Sequence, residues 1–223
     1  MLQRLLVVII IGLLPALAQA LEPAKHPKPA GVADARGLSR IEKARDNRRR
    51  VALVIGNSTY AAAPLKNPVN DARAMATTLR RLGFEVEEHS NLGYMPFNDA
   101  LEAFGNKLKA GGIGLFYYAG HGMQVQGANY LIPVDAKIRA ENEVRYKAID
   151  AGLVLAKMES AKSDVNIVIL DACRDNPFSR SFRSASQGLA QIDAPTGTII
   201  AYATAPGKTA SDGKGKTGPT PRP

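Results

Sequence analysis

Ile113-Gly-Leu-Phe-Tyr-Tyr-Ala-Gly-His-Gly122 and Val165-Asn-Ile-Val-Ile-Leu-Asp-Ala-Cys-Arg174 follow one plan: an apolar run that ends abruptly on a turn carrying a reactive side chain. Uninterrupted hydrophobicity of this length suits a strand of a parallel sheet that is covered on both faces. Val51-Ala-Leu-Val-Ile55, closed by Gly56-Asn57, has the same character, and Phe84 to Glu88 and Thr198 to Tyr202 are two further strand candidates. Between these runs the period becomes helical. Asn67-Pro68 opens one helix, with Asn67 suited to cap the free N–H groups and Pro68 to the first helical position. Ala72, Met75, Ala76, Leu79 and Leu82 continue its apolar stripe, and Gly83 ends it. Phe97, Leu101, Phe104 and Leu108 mark a second helix, and Ile149, Leu153 and Ala156 suggest a third. Met123 to Ile132 reads as a hairpin turning near Gly127. Alternating strands and helices predict an α/β fold: three layers, with a mostly parallel central sheet and helices on both faces.

Functional sites of such sheets form outside the carboxyl ends of the strands. Two strand ends would bring His121 and Cys173 to one edge of the sheet. Cys173 is the only cysteine and His121 one of three histidines. A thiol is a poor nucleophile until ionised, and a nearby imidazole favours the thiolate and can later protonate a leaving amine. The structural reading is that a lone cysteine is a small buried hydrophobe and a histidine at a strand end is merely exposed. The conjunction of both residue types at adjoining strand ends favours chemistry.

The bulk numbers bound the rest. A chain of 223 residues, 45% hydrophobic and 22% charged, is ordinary for one globular domain. Residues 1–20 read as a signal peptide, with Arg4, an apolar run from Leu5 to Leu17 and a small-residue Ala18-Gln19-Ala20 ending. An uncleaved membrane anchor is the alternative. Export predicts a secreted or periplasmic protein, with contact to the membrane only through that segment if it stays attached. Residues 21–49 form a basic linker rich in Pro and Ala, residues 50–206 the catalytic domain, and residues 207–223, dominated by Gly, Lys, Thr and Pro, a disordered tail. The net charge of +9 is concentrated in the stretch from Arg36 to Arg50 and at the ends, so nucleic acid is not expected as a partner. His26 and His89 have no second ligand at zinc spacing, and Gly111-Gly112-Ile113-Gly114 precedes a strand instead of opening a helix, so it is no phosphate loop.

Tyr117-Tyr-Ala-Gly-His-Gly-Met-Gln124, Asn129-Tyr-Leu-Ile-Pro-Val-Asp135 and Asp171-Ala-Cys-Arg-Asp-Asn-Pro-Phe178 closely resemble the caspase-like domain of bacterial metacaspase relatives. So do Leu53-Val-Ile-Gly-Asn-Ser-Thr-Tyr60, Leu65-Lys-Asn-Pro-Val-Asn-Asp-Ala72 and Gly197-Thr-Ile-Ile-Ala-Tyr-Ala203. The spacing of 52 residues from His121 to Cys173 (173 minus 121) agrees with the caspase pattern. The resemblance runs from about Arg50 to Gly213. It implies a cysteine endopeptidase with Cys173 as nucleophile, His121 as general acid and base, and the N–H groups of Gly122 and Cys173 as oxyanion hole. It also implies substrate-binding carboxylates at Asp71 and Asp171 and cleavage after Arg or Lys, because a cationic side chain in a partly dry pocket needs acidic partners. A first-turn helix acid at Asp71 and a loop-orienting role at Asp171 are the structural alternatives.

Two departures from the family pattern stand out. Ala119 occupies the position where some metacaspases have serine. Family members continue beyond the Ala210-Ser-Asp-Gly213 element into further helices and a strand, so the fold is expected to lack its last C-terminal elements. An inactive caspase-like binding or regulatory domain is therefore the competing reading. The partner is expected to be a protein or peptide substrate with basic residues, and Arg48-Arg49-Arg50 is a candidate self-processing site. No cofactor is expected, with calcium activation left possible and unassigned. The oligomeric state is not legible.

Overall fold

The computed structural model describes residues 48–172, 189–203, 210–212 and 219–221. The expected signal peptide, nearly all of the linker, and Cys173 lie outside the described residues. Five parallel strands form the central sheet: β1 (Arg50–Gly56), β2 (Glu85–Ser90), β3 (Ile113–Ala119), β7 (Val165–Asp171) and β8 (Thr198–Tyr202). Their spatial order is β2-β1-β3-β7-β8. Along β3 every side chain is buried, as its unbroken hydrophobicity requires.

Strand order reverses once, and that reversal distributes the helices. The step from β1 to β2 goes one way through α1 (Pro68–Arg81), and the step from β2 to β3 returns the other way through α2 (Tyr94–Leu108). Right-handed crossovers then place α1 on one face and α2 on the other. Ala52, Val54, Leu115, Tyr117, Ile167 and Ile169 pack with the α1 residues Ala72, Met75 and Leu79. Leu53, Ile55, Phe116, Tyr118, Val168 and Leu170 pack with Phe97, Leu101 and Phe104 of α2 and with Val154 and Met158 of α4 (Ala151–Ser160). Each such fully buried Leu, Ile or Phe contributes roughly 1.5–3 kcal/mol. The reversal also opens a crevice between the carboxyl ends of β1 and β3, where α/β sheets bind ligands.

A small antiparallel sheet lies beyond that edge, built from β4 (Gly122–Val125), β5 (Ala128–Leu131) and β6 (Ile149–Asp150). The β4–β5 hairpin turns on Gln126 and Gly127, both at positive φ, which is the tight turn whose twist matches the strands. A 3₁₀ turn (Glu141–Glu143) and the short α3 (Val144–Lys147) precede β6.

Several sequence expectations need correction. Ile149 belongs to β6, and α4 starts at Ala151 with the Asp150 carboxylate accepting from Gly152 N–H. Its buried face is Ala151, Val154, Leu155 and Met158, whereas Leu153 and Ala156 face solvent. A two-residue strand is too short to leave a period, so its apolar residue reads as helical. Asn67 makes no side-chain capping bond; the Ser58 hydroxyl, arriving from the loop after β1, accepts from Val69 N–H instead. Phe84 precedes β2 and is buried without being part of it. Within the tail expected to be disordered, β9 (Ala210–Asp212) and β10 (Pro219–Pro221) pair antiparallel. Composition reports apolar burial, and a three-residue backbone pairing needs none.

The Arg48-Arg49-Arg50 stretch is tied to the amino end of the sheet. The Arg49 carbonyl accepts from Ile113 N–H, the Arg49 guanidinium reaches Glu85, and Arg50 Nη1 donates to the Leu82 carbonyl at 2.6 Å. Among the described residues no helix is long and apolar enough to cross a membrane.

The motif Asn129 to Asp135 has a structural task at the helix that follows β2. The Asp135 carboxylate accepts from Tyr94 N–H at 2.9 Å, and Val134 N–H bonds the Leu92 carbonyl. An acceptor with negative charge at a helix N-terminus satisfies a free donor and complements the dipole. Asp135→Ala is expected to lower stability by about 1 kcal/mol, read as a lower urea midpoint with unchanged slope.

Charge adds a pH-dependent contribution at β2. Hydrogen bonds from Arg49 and Lys107 hold the Glu85 carboxyl below its ordinary 4.5. Burial pushes Glu87 up, but bonds from His89 and Lys107 outweigh it and leave it lowered. A carboxyl depressed on folding stabilises the fold above its unfolded value and loses that contribution as pH falls through the folded one. The stability difference between the wild type and Lys107→Ala should therefore be present at neutral pH and shrink as pH falls below the ordinary 4.5, as unfolding titrations at several pH values would show.

Candidate functional site

The site grows from the crevice between β1 and β3. β1 ends at Gly56 and hands the chain to Asn57, whose N–H bonds the Ala119 carbonyl of β3 at 2.8 Å. Asn57 is fully buried, and its side chain accepts from Leu92 N–H and donates toward the Leu92 and Ile132 carbonyls. This one amide ties together the ends of β1, the approach to α2 and the segment after β5.

β3 ends at Ala119 and delivers His121 into the crevice. His121 is only 2% exposed. Its backbone N–H donates to Tyr60 Oη at 2.9 Å, and its carbonyl accepts from Ile132 N–H at 3.0 Å. Tyr118 Oη is 2.9 Å from the His121 carbonyl and 3.0 Å from the Ile132 carbonyl, which Tyr60 Oη also reaches at 3.1 Å. The two phenol oxygens are themselves 3.1 Å apart. Burial above all, and the neighbouring Tyr60, push the Tyr118 phenol well above its ordinary value of 10, so it stays neutral.

The ring of His121 is oriented from two sides. It leans on Tyr60 with ring centroids 4.4 Å apart and planes inclined by 56°. Its Nε2 lies 2.7 Å from the Ala63 carbonyl. A carbonyl oxygen can only accept, so Nε2 carries the proton and Nδ1 is the basic nitrogen of the neutral ring.

The neighbouring strand end approaches closely. Gly120 N–H bonds the Asp171 carbonyl at 3.3 Å. A Cβ added to Gly122 would lie 2.9 Å from both Ala172 Cβ and the Ala172 carbonyl, and 3.2 Å from Leu189. Only glycine permits that approach. The turn bearing His121 therefore rests directly on the residue before Cys173, and on Leu189, which is fully buried. Asn129 holds this second flank: it donates to the Ala190 carbonyl at 2.8 Å and accepts from Ala190 N–H at 2.7 Å.

Asp71 and Asp171 lie on the same side of the sheet. Along β7, Ile167 and Ile169 face α1, so the two-residue period turns Asp171 to that face as well. Its carboxylate accepts from Tyr117 Oη at 3.3 Å. Asp71 sits in the first turn of α1 and is 2% exposed. Of the expected site residues, His121, Gly122, Asp71 and Asp171 thus cluster at the carboxyl edge, and Cys173 lies outside the described residues. Among the described residues no group of three or more His, Cys, Asp or Glu is arranged to hold a metal ion.

Tyr60, Tyr118, Asn57 and the Ala63 carbonyl were not legible as site residues. Tyr118 reads as one more apolar residue of β3, and a carbonyl has no sequence signature. Tyrosine on a fully buried strand is the available signal, because its hydroxyl must find a partner.

Tyr60→Phe keeps the ring but removes the acceptor for His121 N–H, and is expected to cost about 1–3 kcal/mol. Nitrogen-15 spectra should show the neutral His121 ring protonated at Nε2; a proton at Nδ1 would contradict the bond to Ala63.

A family model described as the caspase domain matches residues 49–220. The match extends through most of the segment that composition assigns to a disordered tail. The mucosa-associated lymphoid tissue lymphoma translocation protein 1 of Homo sapiens and its Mus musculus homolog are each 35% identical to this chain over 128 residues. The matched region is 56% of this chain but only 15% of those proteins. Among solved structures, the Drosophila initiator caspase Dronc superposes with a TM-score of 0.48 at 14% identity, covering 70% of this chain and 55% of that one. Protein GSU0716 from Geobacter sulfurreducens gives 0.46 at 19% identity, covering 57% and 52%.

Proposed function

Because this chain belongs to the caspase domain family, whose members are cysteine peptidases, we propose that it is an endopeptidase that cleaves after Arg or Lys through His121 and Cys173. The observation that carries this reading is the seating of the His121 turn on Ala172, the immediate neighbour of Cys173, with the ring's proton fixed at Nε2 by the Ala63 carbonyl.

The chemistry follows from that tautomer. Nδ1 of His121 takes the thiol proton, and the Cys173 thiolate attacks the scissile carbonyl. The N–H groups of Gly122 and Cys173 receive the developing oxyanion. Collapse breaks the C–N bond while the imidazolium returns its proton to the leaving amine, and a thioester remains. Water, deprotonated by His121, then attacks the thioester, releasing the acid and restoring the thiol. Asp71 and Asp171, on one side of the sheet, supply the carboxylates for a guanidinium or ammonium group.

Purified mature protein should hydrolyse arginyl and lysyl peptides and leave aspartyl peptides intact. Cys173→Ala should abolish turnover, and His121→Ala should lower kcat by about 10²–10⁴. Asp171→Asn is expected to reduce kcat/KM for arginyl substrates by about ten- to a hundredfold. Failure of Cys173 to react with an arginyl electrophile would favour an inactive caspase-like domain instead. Calcium belongs in the same assays as a possible activator.

Export places the reading outside the cytoplasm, with the mature chain beginning after Ala20. Processing at Arg48-Arg49-Arg50 would be intermolecular, because that stretch is anchored at the amino end of the sheet, a seven-residue strand of roughly 20 Å away from the His121 edge. Its rate should therefore rise with protein concentration, and a concentration-independent rate would overturn this expectation.

A further inference from the structure

Along the β4–β5 hairpin Gly122 stands opposite Leu131, and Gln124 opposite Asn129. Residues two apart on a strand share a face, so Gly122, Gln124, Asn129 and Leu131 present one common face of the small sheet. Leu189 and Ala190 lie on it. Leu189 joins Leu131 and Ala172 in the core, and a Cβ on Gly122 would stand 3.2 Å from Leu189 Cδ2. Asn129, itself buried, fixes the next residue: its Nδ2 donates to the Ala190 carbonyl at 2.8 Å and its Oδ1 accepts from Ala190 N–H at 2.7 Å. Ile192 N–H then donates to Tyr202 Oη of β8 at 3.0 Å, so this short segment spans from the small sheet to the central one.

A carboxamide carries a donor and an acceptor side by side, and Ala190 offers the complementary carbonyl and N–H. Asn129 therefore pairs with Ala190 as a neighbouring strand would, although Ala190 belongs to no strand. The direction of the Gly122 N–H follows from the ladder. Ile132 N–H bonds the His121 carbonyl, which makes 121–132 a bonded pair and the next pair, 122–131, an unbonded one. The Gly122 N–H thus points away from β5. What sets its aim is the packing around Gly122, where Ala172 and Leu189 are the nearest neighbours.

We propose that Asn129 is a positioning residue of the peptidase: by clamping Ala190 it seats Leu189 against Gly122 and so aims the Gly122 N–H at the oxygen of the carbonyl under attack. The inference rests on the peptidase reading above and gives Asn129 a part in the same site. An oxyanion donor acts only when it lies about 2.7–3.1 Å from the oxygen on which charge develops. A small displacement of Gly122 therefore weakens the transition state and leaves the bound substrate almost untouched. Asn129 meets neither the substrate nor the reacting atoms; it acts through Leu189.

The test uses the mature full chain, a peptidyl-arginyl coumarin amide and iodoacetamide. Asn129→Ala should lower kcat about tenfold to a hundredfold with little change in KM. Cys173, the only cysteine, should still be alkylated by iodoacetamide at the wild-type rate, because alkylation needs the thiolate and no oxyanion donor. Asn129→Asp separates positioning from folding. Its carboxylate can accept from Ala190 N–H but has no proton for the Ala190 carbonyl, and protonation restores both bonds. The ratio of its kcat to that of the wild type should therefore rise as pH falls, all other titrating groups being common to the two proteins. Should Asn129→Ala fail to fold, this pH series decides alone. A ratio that stays flat with pH, alkylation slowed in step with kcat, or wild-type kcat in both variants would overturn the role of Asn129 alone. No cleavage of the amide by the wild type would overturn the peptidase reading and the inference with it.

Discussion

Everything at the carboxyl edge depends on the pair of hydrogen bonds that pin the His121 backbone, one received by Tyr60 Oη and one given by Ile132 N–H. They fix a residue just past the end of a strand, where regular pairing has stopped and the chain would otherwise be free. The turn is buried, so leaving its polar groups unmatched would cost about 1–3 kcal/mol each. Asn57 and Tyr60 of the loop after β1, Tyr118 of β3 and the Ile132 backbone after β5 supply those matches from three segments. The geometry of the imidazole is therefore a product of tertiary structure, although the residue itself announces its presence in sequence.

That division explains what could be read from sequence. The unbroken apolar runs of β3 and β7 identified parallel strands and located their ends, because burial on both faces leaves no room for polar residues. The helical stripes of α1 and α2 were equally plain, since Met75, Leu79, Phe97 and Leu101 repeat with the turn of a helix. Local rules give the cap of α1 to Asn67, but the Val69 N–H is met by Ser58 from eleven positions away. Ile149 reads as part of the helix because a two-residue strand has no period. In each case a long-range contact displaced a local rule.

The candidate site shows the same boundary. His121 and the paired acids follow from residue type and from the family resemblance. The carbonyl of Ala63, the tilt of Tyr60 and the approach of Gly122 to Ala172 follow only from coordinates, because they concern where backbone lies and not which side chain is present. A glycine after the histidine could be read as access for substrate; its closest neighbours are instead residues of this chain, Ala172 and Leu189.

The frame around the imidazole also has an electrical character. Carbonyls of Ala63 and Ile132 and the amide of Asn57 have no proton to gain or lose in ordinary buffers, and burial removes the Tyr118 phenol from that range too. These supports therefore keep the same charge when a proton arrives on His121 from the thiol. The ring can cycle between its two ionic forms without asking its supports to rearrange, which suits a group that must take up a proton and give it back at the same spot.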